Sequence, residues 1–250
     1  MCGITGFFDP ARDSSDQKLT SVVTGMAAAI AHRGPDGHGI WIDETSGFAL
    51  GHRRLAIIDL SKDGAQPMAS ANGRYVLAYN GEVYNFAELR RELETKGHSF
   101  RGHSDTEVVL AGIVEWGFEA TIQRCTGMFA IALWDRETRS LTLARDRLGI
   151  KPLYYGWVGG VFMFGSELSA LEAHPVFKRE IDQNALALYM VRNCIPAPHS
   201  IYKGVQKLVA GASLTIDTKT AERGFLPPVK TFWSLADVVR DGMNNPFTGT

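Results

Sequence analysis

Apolar and polar positions along this chain switch between two periods. Runs with a period near two predict strands, and runs with a period near 3.6 predict helices. Cys2–Phe8 reads as a buried strand that starts almost at the first residue. From Asp16 to Ala31, the residues Leu19, Val22, Val23, Met26, Ala27 and Ile30 recur at helical spacing and share one face. The segment His32-Arg33-Gly34-Pro35-Asp36-Gly37 then enforces a turn. Strands are predicted at Gly39–Ile42, Phe48–Ile58 and Tyr75–Tyr79. A helix is predicted from Asn85, with Glu88 three residues on, to a glycine stop at Gly97. Another is predicted from Ser104, with Glu107 three residues on, to just before Gly117. Both openings have the spacing of a capping box. Alternation returns at Met128–Trp134, Ser140–Arg145, Leu153–Val158 and Val161–Gly165, with short helices at Glu167–Ala173 and Asp182–Arg192.

The turns Asp135-Arg136-Glu137-Thr138 and Val158-Gly159-Gly160 are short enough to join antiparallel neighbours. The main helices fall in a block between the strand groups, which gives an α+β class. After Cys194 the pattern loosens. Leu208–Asp217 alternates like one more strand, and the Pro- and Gly-rich stretches around it read as a linker toward something further. A length of 250 residues suits one substantial domain, or one plus the start of a second.

Composition narrows the function classes. A hydrophobic share of 45% and a charged share of 21% are those of a soluble globular protein. A net charge of -1 leaves no electrostatic footprint for nucleic acid or an anionic membrane. No apolar run approaches the ~18 residues of a membrane span. The first residues lack the regions of a signal peptide, so a cytoplasmic location is expected. Cys2, Cys125 and Cys194 are odd in number and widely spaced, against a disulfide framework or a zinc site, and no metal is expected.

Four segments carry candidate chemistry. Cys2, once Met1 is trimmed, has a thiol and a free α-amine on one residue. That amine has an ordinary pKa of roughly 7.7–8.0 and can serve as general base for the thiol. Taken alone, Cys2 reads as a structural cysteine. Arg54 stands at the mouth of an apolar strand, where a guanidinium can grip a carboxylate through two parallel bonds; alone it reads as a solvated strand end. Asn80-Gly81 pairs a side-chain amide with a glycine N–H, the makings of an oxyanion hole. The same dipeptide is also a strong hairpin signal, which the helix predicted at Asn85 weakens. Asp105 lies in a first helical turn, where complementing the helix dipole would explain it equally well.

Taken together, six stretches in order resemble the class II glutamine amidotransferase domain, an N-terminal-nucleophile hydrolase. They are Met1-Cys-Gly-Ile-Thr-Gly6, His32-Arg-Gly-Pro-Asp-Gly37, Arg54-Leu-Ala-Ile-Ile-Asp59, Tyr79-Asn-Gly-Glu-Val-Tyr-Asn85, Ser104-Asp-Thr-Glu107 and Ala144-Arg-Asp-Arg-Leu-Gly-Ile-Lys-Pro-Leu-Tyr-Tyr155. The Arg-Gly-Pro-Asp and Arg-Leu-Ala-Ile-Ile-Asp versions are similar to glutamine-hydrolysing asparagine synthetases. The resemblance implies a four-layer αββα sandwich, with two antiparallel sheets between helix layers. It implies an amidotransferase domain over residues 2–200 and a connecting segment over residues 201–250, toward an ATP-dependent synthetase domain. It implies Cys2 as nucleophile, Asn80 and Gly81 as oxyanion donors, and Arg54, Glu82 and Asp105 as ligands of the two charged ends of L-glutamine. The backbone of Ile57 and Ile58 would line the pocket, and the 32–37 loop would be either a lid or a rigid turn. No cofactor is implied for this domain; ATP and Mg belong to the synthetase part, in cis or in trans. A homodimer is possible. Three readings stay open: delivery of ammonia to aspartate, delivery to a sugar acid or secondary metabolite, and a non-hydrolysing assembly module.

Overall fold

The computed structural model describes every residue except 12–14, 58, 220, 248 and 250. The chain begins with β1 (Gly3–Phe8), α1 (Asp16–Ala29), β2 (Gly37–Asp43), β3 (Phe48–Arg54), β4 (Met68–Ala69) and β5 (Tyr75–Val83). Helices α2 (Phe86–Thr95), α3 (Asp105–Trp116) and α4 (Phe118–Arg124) follow. Then come β6 (Gly127–Asp135), β7 (Ser140–Arg145), β8 (Tyr154–Val158), β9 (Val161–Gly165), α5 (Leu168–Glu172) and α6 (Gln183–Arg192). Last are β10 (Val205–Lys207), β11 (Ala212–Asp217), β12 (Lys230–Thr231) and α7 (Leu235–Asn244).

The strands form two antiparallel sheets, ordered β10-β8-β9-β1-β3-β2 and β12-β11-β7-β6-β5-β4. Side-chain alternation stacks them. Ile4, Phe8, Phe48 and Leu50 of the first sheet meet Val76, Ala78, Ala130, Ala132 and Trp134 of the second in a central core. Phe48 stacks on Trp134 with ring centroids 4.1 Å apart. The opposite parities point outward. Phe7, Ala49 and Met163 pack under α1 and α5, while Leu77, Ile131 and Leu133 pack under α2, α3 and α4. The layers are therefore helix, sheet, sheet, helix, the αββα sandwich that the resemblance implied.

Four local departures from the sequence reading matter. β3 stops at Arg54, short of the predicted Leu55–Ile57, because the next N–H groups bond sideways: Leu55 to the Cys2 sulfur and Ala56 to the Asp36 carboxylate; the predicted end, Ile58, lies outside the described residues. β5 runs on to Val83, since Asn80–Val83 find partners in Gly127–Ala130 of β6. Asn85 stands at the N-cap of α2 without a side-chain capping bond. Its amide instead joins Arg124 and Thr126, tying α2 to the segment after α4. Finally, α4 was not read from the sequence at all.

Beyond residue 200, β10 pairs with β8 and β11 pairs with β7. Leu208, Ala212, Leu214 and Ile216 enter the central core.

Candidate active site

Parity brings the site together. On β1, Cys2 continues the inward set of Ile4 and Phe8. On β3, Arg54 continues the inward set of Phe48 and Leu50. On β5, Asn80 and Glu82 continue the inward set of Val76 and Ala78. All four thus face the gap between the sheets at one end of the sandwich. A cavity of about 150 Å³ opens there, lined by Cys2, Arg54, Ile57, Asn80, Gly81, Glu82 and Asp105 among others. Every described site residue expected from the sequence touches it; Ile58 lies outside the described residues.

Cys2 is held from three sides. Gly3 locks into β1 opposite Arg53. The Arg33 Nε–H donates to the Cys2 carbonyl at 3.0 Å, and Arg33 Nη1 pairs with Glu167 at 2.7 Å. The Leu55 N–H points at Sγ from 3.3 Å, a donor placed where negative charge on sulfur would develop. The 32–37 segment packs as a buttress behind Cys2. Arg33 is buried in it, Asp36 anchors Ala56 at 2.9 Å, and a β-carbon on Gly34 would stand 2.4 Å from backbone atoms of Arg53 and Arg54.

The Asn80 side chain is 1% exposed, and among the described residues its Nδ2 donor has no partner. Buried donors are almost always satisfied, and an unfilled one in a cavity wall is a place for a ligand acceptor. Gly81 follows, and a β-carbon there would meet the Met128 carbonyl at 2.4 Å, so no other residue fits.

Arg54 directs its fork into the loop after β3. Nη1 donates to the Ser61 carbonyl at 2.7 Å, and Nη2 bonds the Asp59 carbonyl. Asp59 is itself fixed: hydrogen bonds from Ser61 and from the His103 N–H hold its carboxyl down at about 2. The guanidinium is thereby oriented by carbonyls, without a neutralising carboxylate among the described residues.

Asp105 opens α3 next to the Ser104 cap. Its Oδ2 accepts from the Tyr79 hydroxyl at 2.7 Å and from the Val83 N–H at 2.9 Å, joining the outer helix layer to the end of β5. Burial pushes this carboxyl above the ordinary aspartate range, against the pull of those two donors.

Several contributors escaped sequence reasoning. Gln66 is buried beneath the site, accepting from the Tyr79 N–H at 2.7 Å and donating to Thr106 at 3.2 Å. His52 is fully buried, with Nε2 3.1 Å from the Tyr79 carbonyl. Burial lowers its pKa to about 4, so it is neutral at pH 7 and bridges the sheets as an N–H donor. The inward parity of His52 with Leu50 was a usable signal. Lys151, from the loop before β8, also lines the cavity; no periodicity marked it. Cys125 is buried and its thiol is pushed up to about 12, which leaves it inert.

Comparison with known proteins bears on the family and the fold. The model of the glutamine amidotransferase domain matches residues 1–233. Asparagine synthetase [glutamine-hydrolyzing] 3 of Bacillus subtilis is 39% identical over 86% of this chain and 34% of its own. A putative asparagine synthetase [glutamine-hydrolyzing] 2 of Methanocaldococcus jannaschii is 34% identical over 97% of this chain and 50% of its own. The chain thus spans about a third to a half of the length of these relatives. Among solved structures, glutamine phosphoribosylpyrophosphate amidotransferase from B. subtilis superposes with a TM-score of 0.65 at 20% identity, over 94% of this chain and 50% of that one. An allosteric regulatory enzyme of purine biosynthesis gives 0.67 at 20% identity, over 94% of this chain and 49% of that one; both likenesses speak to the fold. The chain belongs to the glutamine amidotransferase domain family.

Proposed function

We propose that this domain hydrolyses L-glutamine to glutamate and ammonia, using Cys2 as nucleophile after removal of Met1. The observation that carries this is the unfilled Asn80 amide in the same small cavity as the Cys2 sulfur. The thiol attacks the side-chain carboxamide and passes its proton to the α-amine of the same residue. The tetrahedral oxyanion is held by Asn80 Nδ2 and the Gly81 N–H. The protonated amine returns its proton to the leaving nitrogen, and ammonia departs. Water then cleaves the thioester, releasing glutamate and restoring the thiol. Arg54 takes the substrate α-carboxylate, while Glu82 and Asp105 take the α-ammonium. A charge requirement at each end selects an amino acid over a simple amide.

With Met1 attached, the Cys2 nitrogen is a peptide nitrogen and cannot act as base. Met1 itself lines the cavity, so its removal both creates the base and clears space. In the full assembly, ammonia passes to an ATP-activated carboxylate, with aspartate favoured by the names of the relatives. ATP and Mg then belong to a synthetase part, in cis or in trans.

The test is ammonia release from L-glutamine by protein shown by intact mass to lack Met1. Release is expected, and Cys2→Ala should abolish it. Persistence of release in Cys2→Ala would end this reading.

A further inference from the structure

The segment Arg145–Lys151 has no part in the chemistry above, yet it is heavily constructed. Asp146 is fully buried and acts as a hub. Its Oδ1 accepts from the N–H groups of Leu148 at 3.1 Å and Ile150 at 2.9 Å. Its Oδ2 accepts from those of Phe129 at 3.1 Å and Lys151 at 2.9 Å. From the other side, Arg145 donates to the carbonyls of Gly149, Lys151 and Leu208 at 2.6 to 2.7 Å. The product of this clamp is one side chain, that of Lys151, delivered into the cavity that holds Cys2.

That side chain is poorly compensated. Lys151 is 4% exposed. Among the described residues its ammonium has one hydrogen-bond partner, the Met1 thioether sulfur at 3.2 Å, and it forms no salt bridge. A thioether is a weak acceptor, and a buried cation without a good partner is costly. Burial and then the nearby Arg33 hold the ammonium below the usual lysine range. A purely structural lysine would be given a carboxylate or carbonyls, as Arg145 is.

The other charges around Cys2 are already engaged. Arg33 is paired with Glu167. Arg54 is spread over loop carbonyls. Asp59 accepts from backbone N–H groups, and so does one oxygen of Asp105. Asp146 faces its own loop. Glu82 lines the cavity as a potential counterion, shared with the substrate ammonium in the mechanism above. Arg54 is assigned to the substrate carboxylate in the mechanism above, which leaves Lys151 as the cation lining this cavity that has no assigned role and, among the described residues, only a thioether partner.

We propose that Lys151 is a positioning residue for the nucleophile: its charge, released from the thioether when Met1 is removed, makes the Cys2 amine–thiol pair give up its first proton at lower pH. The two groups titrate as a coupled unit, so a neighbouring cation favours loss of that proton whichever atom held it. This rests on Cys2 being the processed N-terminal residue, as in the function proposed above.

The experiment follows the alkylation rate of Cys2 by iodoacetamide across pH, on Met1-free protein with Cys194→Ser to silence the exposed thiol. Lys151→Met should raise the midpoint by about one pH unit, a size expected for one nearby charge in a partly dry site. Lys151→Arg should restore most of the shift, and the acid limb of kcat/KM for glutamine should move in parallel. An unshifted midpoint in a Lys151→Met protein that melts like the parent would overturn the proposal. Where that variant fails to fold, the parent decides: its midpoint should lie below that of a free Cys-Gly peptide, and a midpoint at or above the peptide's overturns the idea. Alkylation needs no turnover. A shifted midpoint without ammonia release would defeat the glutaminase reading and leave Lys151 standing, and the reverse result would do the opposite.

Discussion

Strand β5 runs between two polar clusters at opposite ends of the sandwich, and they are built on different logic. At its Tyr75 end, Arg74 grips Asp135 through Nε at 3.1 Å and Nη2 at 2.7 Å. Asp135 also accepts from the N–H groups of Glu137 at 2.9 Å and Thr138 at 3.3 Å, closing the hairpin between β6 and β7. Each charge there has its partner. The cavity beside it, about 550 Å³, is larger than the one at Cys2, yet no cysteine stands among its described lining residues. At the other end, Asn80 keeps a buried amide donor unused, and Lys151 keeps a buried ammonium against a thioether. Volume does not separate a site from a crevice here. An open donor in a cavity wall does: Ser46 Oγ and Trp134 Nε1 also lack partners among the described residues, but neither lines the larger cavity, whereas Asn80 lines the one at Cys2.

Asn80→Ala should have the largest effect. If the amide is kept for an oxyanion, its loss should lower kcat for glutamine by about 10²–10³-fold, the typical effect of deleting one such donor. Because Nδ2 has no partner among the described residues, the melting temperature should hardly change. A large loss of stability with little loss of rate would mean that the side chain packs rather than catalyses.

How much of this was readable beforehand depends on how local each feature is. Helices α1 and α3 announce themselves through face periodicity and the Ser104 cap, which does accept from the Glu107 N–H. The αββα layering came through the resemblance, since alternation says which residues share a face but not which sheet they meet. Asn80 and Gly81 were legible as a donor pair, and their location in the ladder of β5 was not. The strand there continues because residues some 45 positions later, Gly127–Ala130, pair with it. Lys151 lies within the sixth resembling stretch, but nothing in that stretch singled it out. Its placement depends on a buried carboxylate five residues back, and Asp146 in a polar stretch looks like any surface aspartate.

His52, buried between the two ends, contributes a pH-dependent part of the stability. Its pKa is about 4 in the fold, against 6.5 for an unperturbed histidine. Between those values the unfolded chain binds a proton that the native state refuses, so stability is lost as pH falls through the window. From about pH 7 to about pH 5 this one residue should cost about 2 kcal/mol. His174, also lowered to about 4 by burial, adds in the same direction. Asp105, raised by burial, works in the opposite sense at the acid end. Urea unfolding at the two pH values should show the loss, and His52→Gln should remove a large part of the pH dependence while shifting the neutral-pH midpoint. Unchanged pH dependence in that variant would show that the fold does not lower the pKa of His52.

The smallest effect belongs to the satisfied end, and it completes the contrast. Asp135→Ala removes the acceptor of Arg74 and the cap of the β6–β7 turn. It should destabilise the domain by on the order of 1–2 kcal/mol, since Asp135 is buried but Arg74 is partly solvated and recovers water. Glutamine hydrolysis by the folded fraction should be unaffected, because β5 transmits nothing to Asn80 except its ladder position, and the pairing of Val76–Val83 with Gly127–Trp134 remains. Thermal melts and kcat measured well below the transition check both halves. A fall in kcat matching that of Asn80→Ala would mean that the two ends of the strand are coupled, and that the paired cluster helps hold the open one in register.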